Sequence, residues 1–471
     1  MNNSTANLPS TEIPQTADVV ICGAGIAGVA AAHWLTVTHG IKRVLLVDDR
    51  APLTLTSDKS TEAYRNWWLD PDGAMMALMN RSIDLLETVA RRTDNRIRLN
   101  RRGYLYATAN PNRATQFRRQ MAQAKKLGAG EMRFHTGAPG NPPYQPASRH
   151  GFENAPDGAD LITDAALIRR HFPFLSEKTI AVLHARRCGW FSGYQLGMTL
   201  LEEARAHGAE VIAGRVTGVR LEKNRVRGVT IAAAGGTKTV ATENFVNAAG
   251  PFLKDVGQML GIDLPVFSEL HLKVSIKDRL GIIPRDAPLT IWTDSQRLPW
   301  SAEEHEFLAA DAASRWLLAE FPGTLHFRPE GEGDSPVVLM LFPYHTEPVA
   351  EVFPLPADPD YPEVVLRGMV TMVPAMAAYL QRMPQPYVDG GYYTKTKENR
   401  PLVGALPVDG AFVIGALSGF GLMASLAAGE LLAASVTGST LPPYAAAFAP
   451  NRYDDPDYRR FLQSLSDENQ L

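Results

Sequence analysis

The sequence predicts an α/β protein: a parallel sheet with helices on its faces, joined to a second α+β region whose sheet is mostly antiparallel. Three observations predict it. An apolar run, Ala17 to Cys22, ends in glycines and is followed by a helix-like stretch of small residues and a second apolar run, Arg43 to Val47. Short runs of this kind, without polar alternation, are strands buried on both faces, as in parallel sheets. Two further runs of the same type, Phe245 to Ala249 and Ala411 to Ile414, end in Gly250 and Gly415, so both chain ends feed the same layer. Between them, residues 266–385 hold strand-like segments, two helical ones and many prolines. The 471 residues suffice for two or three domains.

Taken in order, residues 1–16 read as a polar tail without a basic start or apolar stretch, so no signal peptide is readable. Strand, glycine turn, helix (Ile26 to Thr38) and strand follow. Helical spacing marks 74–92 and 113–127, and 136–160 is dense in Gly, Pro, Asn and Ser, a surface insertion or lid. Helical Leu196–His207 leads to apolar Glu210–Ala213, and Arg215–Leu221 and Val226–Ala232 alternate like antiparallel strands. Helical spacing returns at 302–320 and 361–382. Ala411 to Val436 is long and apolar, but Gly415, Gly419 and Gly421 divide it into a strand, a loop and a buried helix rather than a membrane span. The expected division is 17–100, 160–265 and 386–471 as a discontinuous first domain, with 101–159 and 266–385 as the second.

Composition excludes several classes. With 45% apolar and 21% charged residues the chain is ordinary globular material. The 47 basic against 50 acidic residues leave a net charge of −3, which gives no electrostatic reason for a nucleic-acid partner. The two cysteines, Cys22 and Cys188, make neither a disulfide framework nor a thiolate metal site and fit a reducing, cytoplasmic setting. No spacing resembles a metal site.

The first turn reads Gly23-Ala-Gly25-Ile26-Ala27-Gly28, with Asp48 and Asp49 closing the second strand. Gly23 allows the tight turn, and Gly25 lets a pyrophosphate approach the backbone. Gly28 lets the helix sit close to the sheet, and the first helical amides, at Ile26 and Ala27, face the phosphates. An acid at position 48 accepts hydrogen bonds from a ribose. The motif follows a strand and opens a helix, the context it requires. This is a Rossmann-like dinucleotide site.

Further motifs narrow the dinucleotide. They are Gly189-Trp190 before a helix, Gly208-Ala-Glu-Val211, Val246-Asn-Ala-Ala249-Gly250-Pro251, Pro401-Leu-Val-Gly404, and Ser418-Gly419-Phe420-Gly421-Leu422-Met423 followed by Gly429-Glu430. Taken together, over nearly the whole length, the chain resembles the FAD-dependent D-amino-acid oxidase, glycine oxidase and sarcosine oxidase superfamily. The resemblance implies FAD, with Val216 near the adenine, Ala249 and Gly250 near the pyrophosphate, and Ser60 and Thr61 along the flavin ring. It places Gly415 and Ser418 to Met423 as the loop and helix start facing the flavin's pyrimidine edge, where a helix N-terminus stabilises negative charge.

Departures from the family pattern carry information too. Gly391 stands where sarcosine oxidase tethers its flavin through cysteine, and no histidine occurs between 54 and 70, so FAD is expected to be held non-covalently. Tyr393 stands where glycine and D-amino-acid oxidases place a carboxylate-binding arginine, and Met423 where sarcosine oxidase places a carboxylate-touching lysine. The oxygen-activating lysine of sarcosine oxidase falls near Leu341. Only Arg65 matches a carboxylate-facing residue. A quinone-like acceptor is therefore expected to outpace oxygen unless Lys273, Lys395 or Lys397 supplies the missing charge. Candidate substrate residues are Arg65, Trp67, Trp68, Tyr392, Tyr393 and His326, with Arg65 and Tyr393 the catalytic pair.

The implied reaction is oxidation of a C–N bond of an amine or amino acid, N-substituted or bulky, by hydride transfer to flavin N5. The imine product hydrolyses, and oxygen, a quinone or an electron-transfer protein takes the electrons. Such chemistry rests on positioning more than on acid–base side chains. Two other readings stand beside it. One is a non-catalytic FAD-binding scaffold or assembly factor. The other is a flavin monooxygenase, which Gly415-Ala416 in place of Gly-Asp disfavours.

Overall fold

The computed structural model describes residues 12–465. Eight strands form the first sheet, in the order 236–241, 225–233, 209–222, 44–48, 19–22, 245–247, 411–415 and 402–405. The five from 209–222 to 411–415 run parallel, and the two outer strands at one end and 402–405 at the other pair antiparallel. Both faces are covered, as the continuous apolar runs require. Val19, Ile21, Val44 and Leu46 pack under the helices Ile26–His33, Ala74–Arg92, Gly193–Ala206 and Gly421–Thr437. Val20, Cys22, Leu45 and Val47 pack on the other side with Val216, Val229 and Leu253.

Gly28 explains the close approach of the first helix: a Cβ there would stand 2.0 Å from the Gly23 carbonyl oxygen. That helix runs regularly only to His33 and closes with a wider π turn over Trp34–Thr38. The apolar stretches at 210–213 and 215–221 are a single strand, Ala209–Glu222. Its first half pairs parallel with Val44–Asp48 and its second half antiparallel with Arg225–Ala233. The segment from 411 is a strand, a loop and the helix Gly421–Thr437; among the described residues no helix is long and apolar enough to cross a membrane.

Nine strands form the second sheet, in the order 387–395, 267–277, 337–341, 326–329, 289–292, 104–108, 181–185, 159–162 and 132–135. Most neighbours pair antiparallel. This pairing runs across the expected division. Strands 159–162, 181–185 and 387–395 join the second sheet, although the sequence pattern places 160–265 and 386–471 with the first. Their partners lie far away in sequence, and no local pattern reports them. Two helical readings also shorten. The 302–320 segment starts on a Ser301–Glu304 capping box and ends at Ala310, with a separate 3-10 turn at Arg315–Leu318. The 361–382 segment ends at Met372, two residues before Pro374, which has no N–H to continue it.

Residues 136–158 carry no helix or strand and are pinned by buried Tyr144 and Phe152. Of the polar tail, residues 1–11 lie outside the described residues. Residues 12–16 pack on the first sheet, with Ile13 buried and Thr16 bridged to Ala241.

Alternation gives the second sheet two different faces. Leu105, Leu272, Val274, Ile276, Phe327, Val338 and Met340 bury one face against the helix Tyr361–Met372. The strand registers bring Glu269, His271 and Lys273, Tyr393 and Lys395, His326 and Arg328, and Tyr104 and Tyr106 to the other. That second face looks toward the loop at 56–65.

Candidate active site

A cavity of about 100 Å³, open to solvent, is lined by residues from several of the predicted cofactor motifs. Gly25, Ile26 and Ala27 line it from the first turn, Ser60 from the 56–60 loop, Gly250 from the chain after the fourth parallel strand, and Gly415, Ser418, Gly419, Gly421 and Leu422 from the C-terminal turn. Ala248, Pro251 and Leu417, from within those motifs, also line it, as do Thr56, Ser57 and Thr394, which sequence reasoning did not single out.

The residues present fit a dinucleotide. A Cβ on Gly250 would meet nothing within 4 Å, and one on Gly25 only Ser57 Oγ at 3.3 Å, so both backbones face open space. The helix from Ile26 has no side-chain cap at Gly25, leaving its N-terminal end to the cavity. Ser57 Oγ accepts the Ile26 amide proton at 3.0 Å.

Asp48 has a structural job as well as the predicted one. Its Oδ2 accepts from the Ala24 amide at 2.8 Å and its Oδ1 from the Arg50 amide at 2.9 Å, which fixes the turn. Burial raises its carboxyl above the ordinary range while those amides pull it back. A carboxylate has lone pairs beyond these two bonds for a ribose hydroxyl. Asp49 is exposed. Val216 is buried among Val47, Ile212 and Ile231, and Ala249 donates its amide to Asn247 Oδ1. Phe420 and Met423 turn into the helical core, so of the last motif the glycines, Ser418 and Leu422 border the cavity.

Opposite the 56–65 loop stands the polar face of the second sheet. Lys273 Nζ donates to the Ser60 carbonyl at 3.2 Å, and Arg328 Nε to the Thr61 carbonyl at 2.9 Å. Two cations, from strands on either side of 337–341, therefore fasten the loop predicted to lie along the flavin ring. Val274 pairs with Met340, which sets Lys273 beside Leu341 on the next strand. A cation thus stands one strand over from the position where the family pattern shows a loss. Burial lowers the Lys273 ammonium below its usual value, with Asp389 and Glu62 opposing. Lys395 is buried on Glu269, and Lys397 is exposed.

Arg65 ends a short strand that pairs with Cys188–Trp190. Its guanidinium carbon lies 4.4 Å from the Trp68 ring centre and 6.0 Å from that of Tyr104. Its Nε is buried without a hydrogen-bond partner, and among the described residues no carboxylate pairs with it. Trp68 donates its indole N–H to the Arg65 carbonyl at 3.1 Å and meets Phe420 edge-on. His326 stands near Arg65. Its Nδ1 lies 2.8 Å from the Thr324 carbonyl, and burial pushes its imidazole down to about 4, with Arg65 and His271 adding to the shift.

Two predicted substrate residues go elsewhere. Trp67 packs in the core with Met76, Tyr104 and Phe117. Tyr392 and Tyr393 alternate: the Tyr392 hydroxyl turns to the main chain of Val352, donating to its carbonyl at 2.9 Å. Tyr393 alone points to the site. Its ring stacks on His271 with centres 4.0 Å apart, a Cβ on Gly419 would come within 2.4 Å of it, and burial raises its phenol to about 12. Sequence reasoning missed Glu269 as a site residue, although the polar–apolar alternation of Glu269-Leu-His271-Leu-Lys273 was there to find.

The model of a family described as FAD dependent oxidoreductase matches residues 18–435, most of the chain. Solved structures share the fold. L-proline dehydrogenase from P. horikoshii superposes with a TM-score of 0.70 at 19% identity, covering 94% of this chain and 99% of that one. Glycine oxidase from Geobacillus kaustophilus gives 0.69 at 16% identity, covering 93% and 99%. Iminodiacetate oxidase from Chelativorans sp. BNC1 gives 0.67 at 17%, covering 92% and 98%. No curated protein matches the sequence. With the family model matched across strands of both sheets, the chain belongs to the FAD-dependent oxidoreductases of the D-amino-acid oxidase type.

Proposed function

We propose that this FAD-dependent oxidoreductase oxidises the C–N bond of an amino acid or N-substituted amine, with Arg65 holding the substrate carboxylate. The observation that carries the reading is the Arg65 guanidinium, which has a buried, unpartnered Nε and, among the described residues, no carboxylate to neutralise it. A half-buried cation with an unpaired N–H gains from a counter-ion, and a bound carboxylate supplies it through charge-assisted hydrogen bonds. Trp68, Tyr104 and Tyr393 give the neighbouring surface an aromatic character suited to a bulky or N-substituted side chain. The structural relatives named above act, by their names, on proline, glycine and iminodiacetate, which are all amino or imino acids.

FAD, when bound, supplies the hydride acceptor. The chain's residues do the rest. Arg65 orients the substrate by its carboxylate, Tyr393 and Trp68 bound the space beside it, and Lys273 and Arg328 keep the 60–61 loop in register with the sheet. The cofactor is non-covalent in this reading: the cavity lining contains neither cysteine nor histidine, and both cysteines are buried elsewhere. Two buried free thiols also suit the reducing environment of the cytoplasm. Lys273 beside Leu341 favours oxygen as the electron acceptor, because a cation stabilises negative charge formed on oxygen.

The test is an anaerobic screen of the holoenzyme with amino acids, N-methylated amines and cyclic imino acids. The expected outcome is bleaching of the bound flavin by at least one class. Bleaching by NADPH alone favours a monooxygenase, and no bleaching by any amine favours a scaffold.

A further inference from the structure

On the sheet face that carries Tyr393 lies a buried charged cluster that substrate holding does not use. Glu269 is 1% exposed, and Lys395 Nζ lies 3.0 and 3.1 Å from its two carboxylate oxygens. That pair already balances its charge. A third group is added to it: His271 Nε2 sits 2.9 Å from Glu269 Oε2. An acceptor-only carboxylate requires Nε2–H to donate, which leaves the lone pair on Nδ1. Nδ1 has no hydrogen-bond partner among the described residues, and the ring is stacked on Tyr393 on the face of the sheet that looks toward the 56–65 loop.

An amino acid or alkylamine arrives at neutral pH as its ammonium form. A protonated nitrogen has no lone pair to assist hydride departure, so a proton must first go to a nearby acceptor. Two imidazoles stand on this face. His326 is anchored to a neutral carbonyl and stands near the Arg65 guanidinium, so a second positive charge there is opposed. His271 is anchored to a carboxylate, which stabilises an imidazolium.

Resting on the amine-oxidising reading, we propose that His271 Nδ1 takes the ammonium proton of the bound substrate, with Glu269 and Lys395 as positioning residues. The substrate N–H bond breaks, an Nδ1–H bond forms, and the electron pair of the broken bond stays on the substrate nitrogen. Nothing is oxidised or reduced in this step. The imidazolium rests against Glu269 and loses its proton to water after product leaves.

The surrounding charges are Glu269 and Lys273 on the same strand, Tyr393 and Lys395 on the neighbouring one, His326 across the sheet and His345 in the loop after 341. Burial holds the His271 imidazole below its usual value, Glu269 opposes this, and Lys395 and His345 add to it. The acceptor is therefore neutral and ready at neutral pH.

The experiment is anaerobic stopped-flow reduction of the holoenzyme, wild type and His271→Gln, with the best amine of the screen from about pH 6 to about pH 10. Near neutrality the variant is expected to be about 10²-fold slower, the usual scale for losing a proton-transfer group. Its rate should climb with pH and approach wild type as the amine loses its proton unaided. An equal slowing at every pH would mean a packing role and overturn the proposal. If no amine reduces the wild-type flavin, the amine-oxidising reading itself fails and the proposal with it. Should His271→Gln not retain FAD, histidine ¹⁵N spectra of the wild type with 2-aminoisobutyrate, which has no α-hydrogen to lose, decide the matter. Nδ1 is expected to gain a proton on binding, and binding with Nδ1 left bare overturns the proposal.

Discussion

The two sides of the site are made of different material. The dinucleotide side is almost all main chain: Gly25, Gly250, Gly419 and Gly421 border it, and the carboxylate at its turn, Asp48, spends two hydrogen bonds on holding that turn. The sheet side is almost all side chain: strand register brings His271, Lys273, Glu269, Lys395, His326 and Arg328 to one face, and Arg65 stands near His326 from its own short strand. A backbone cradle suits a cofactor that never changes, because amides and missing Cβ atoms leave little to vary. A face of side chains suits substrate choice, because each substitution alters one contact and leaves the sheet intact.

The sharpest way to break this contrast is Gly25→Val. Only Ser57 Oγ lies near that Cβ position, so the chain has room to fold while the pyrophosphate does not have room to bind. The expected result is a colourless protein with unchanged far-UV circular dichroism. Full flavin content in this variant would remove the turn from the site.

A smaller effect sharpens the other half. Lys273→Met should slow reoxidation of the reduced enzyme by oxygen about 10²-fold, the scale for one preorganised charge beside a developing negative charge. Reoxidation by an artificial quinone should change far less. Stopped-flow mixing with each acceptor checks this; an unchanged oxygen rate would assign Lys273 only to fastening the Ser60 carbonyl.

The same contrast explains what was legible in the sequence. Gly23 to Gly28, Gly250 and the 415–422 turn act through local spacing, so their roles and the strand–turn–helix around them could be read directly. Helix 74–92 was legible for a like reason, since its apolar stripe is local. The sheet side depends on which distant strands pair. Nothing near residues 387–395 reports that they lie beside 267–277, and so the boundary at 386 and the turning away of Tyr392 were not readable. Trp67 and Trp68 are adjacent and chemically alike, yet one fills the core with Phe117 and the other flanks Arg65; only packing separates them.

The central claim is that substrate is chosen on the sheet face, with Arg65 as its carboxylate hold. The most direct measurement is anaerobic titration of wild type and Arg65→Met with the best amino acid and with the same molecule lacking its carboxylate. Loss of a charge-assisted hydrogen bond is worth about 1.5–3 kcal/mol. Wild type should therefore prefer the acid by roughly 10- to 150-fold in Kd, and the variant should bind the two alike. An undiminished preference for the acid in Arg65→Met would contradict the claim and move the carboxylate contact to another cation of that face.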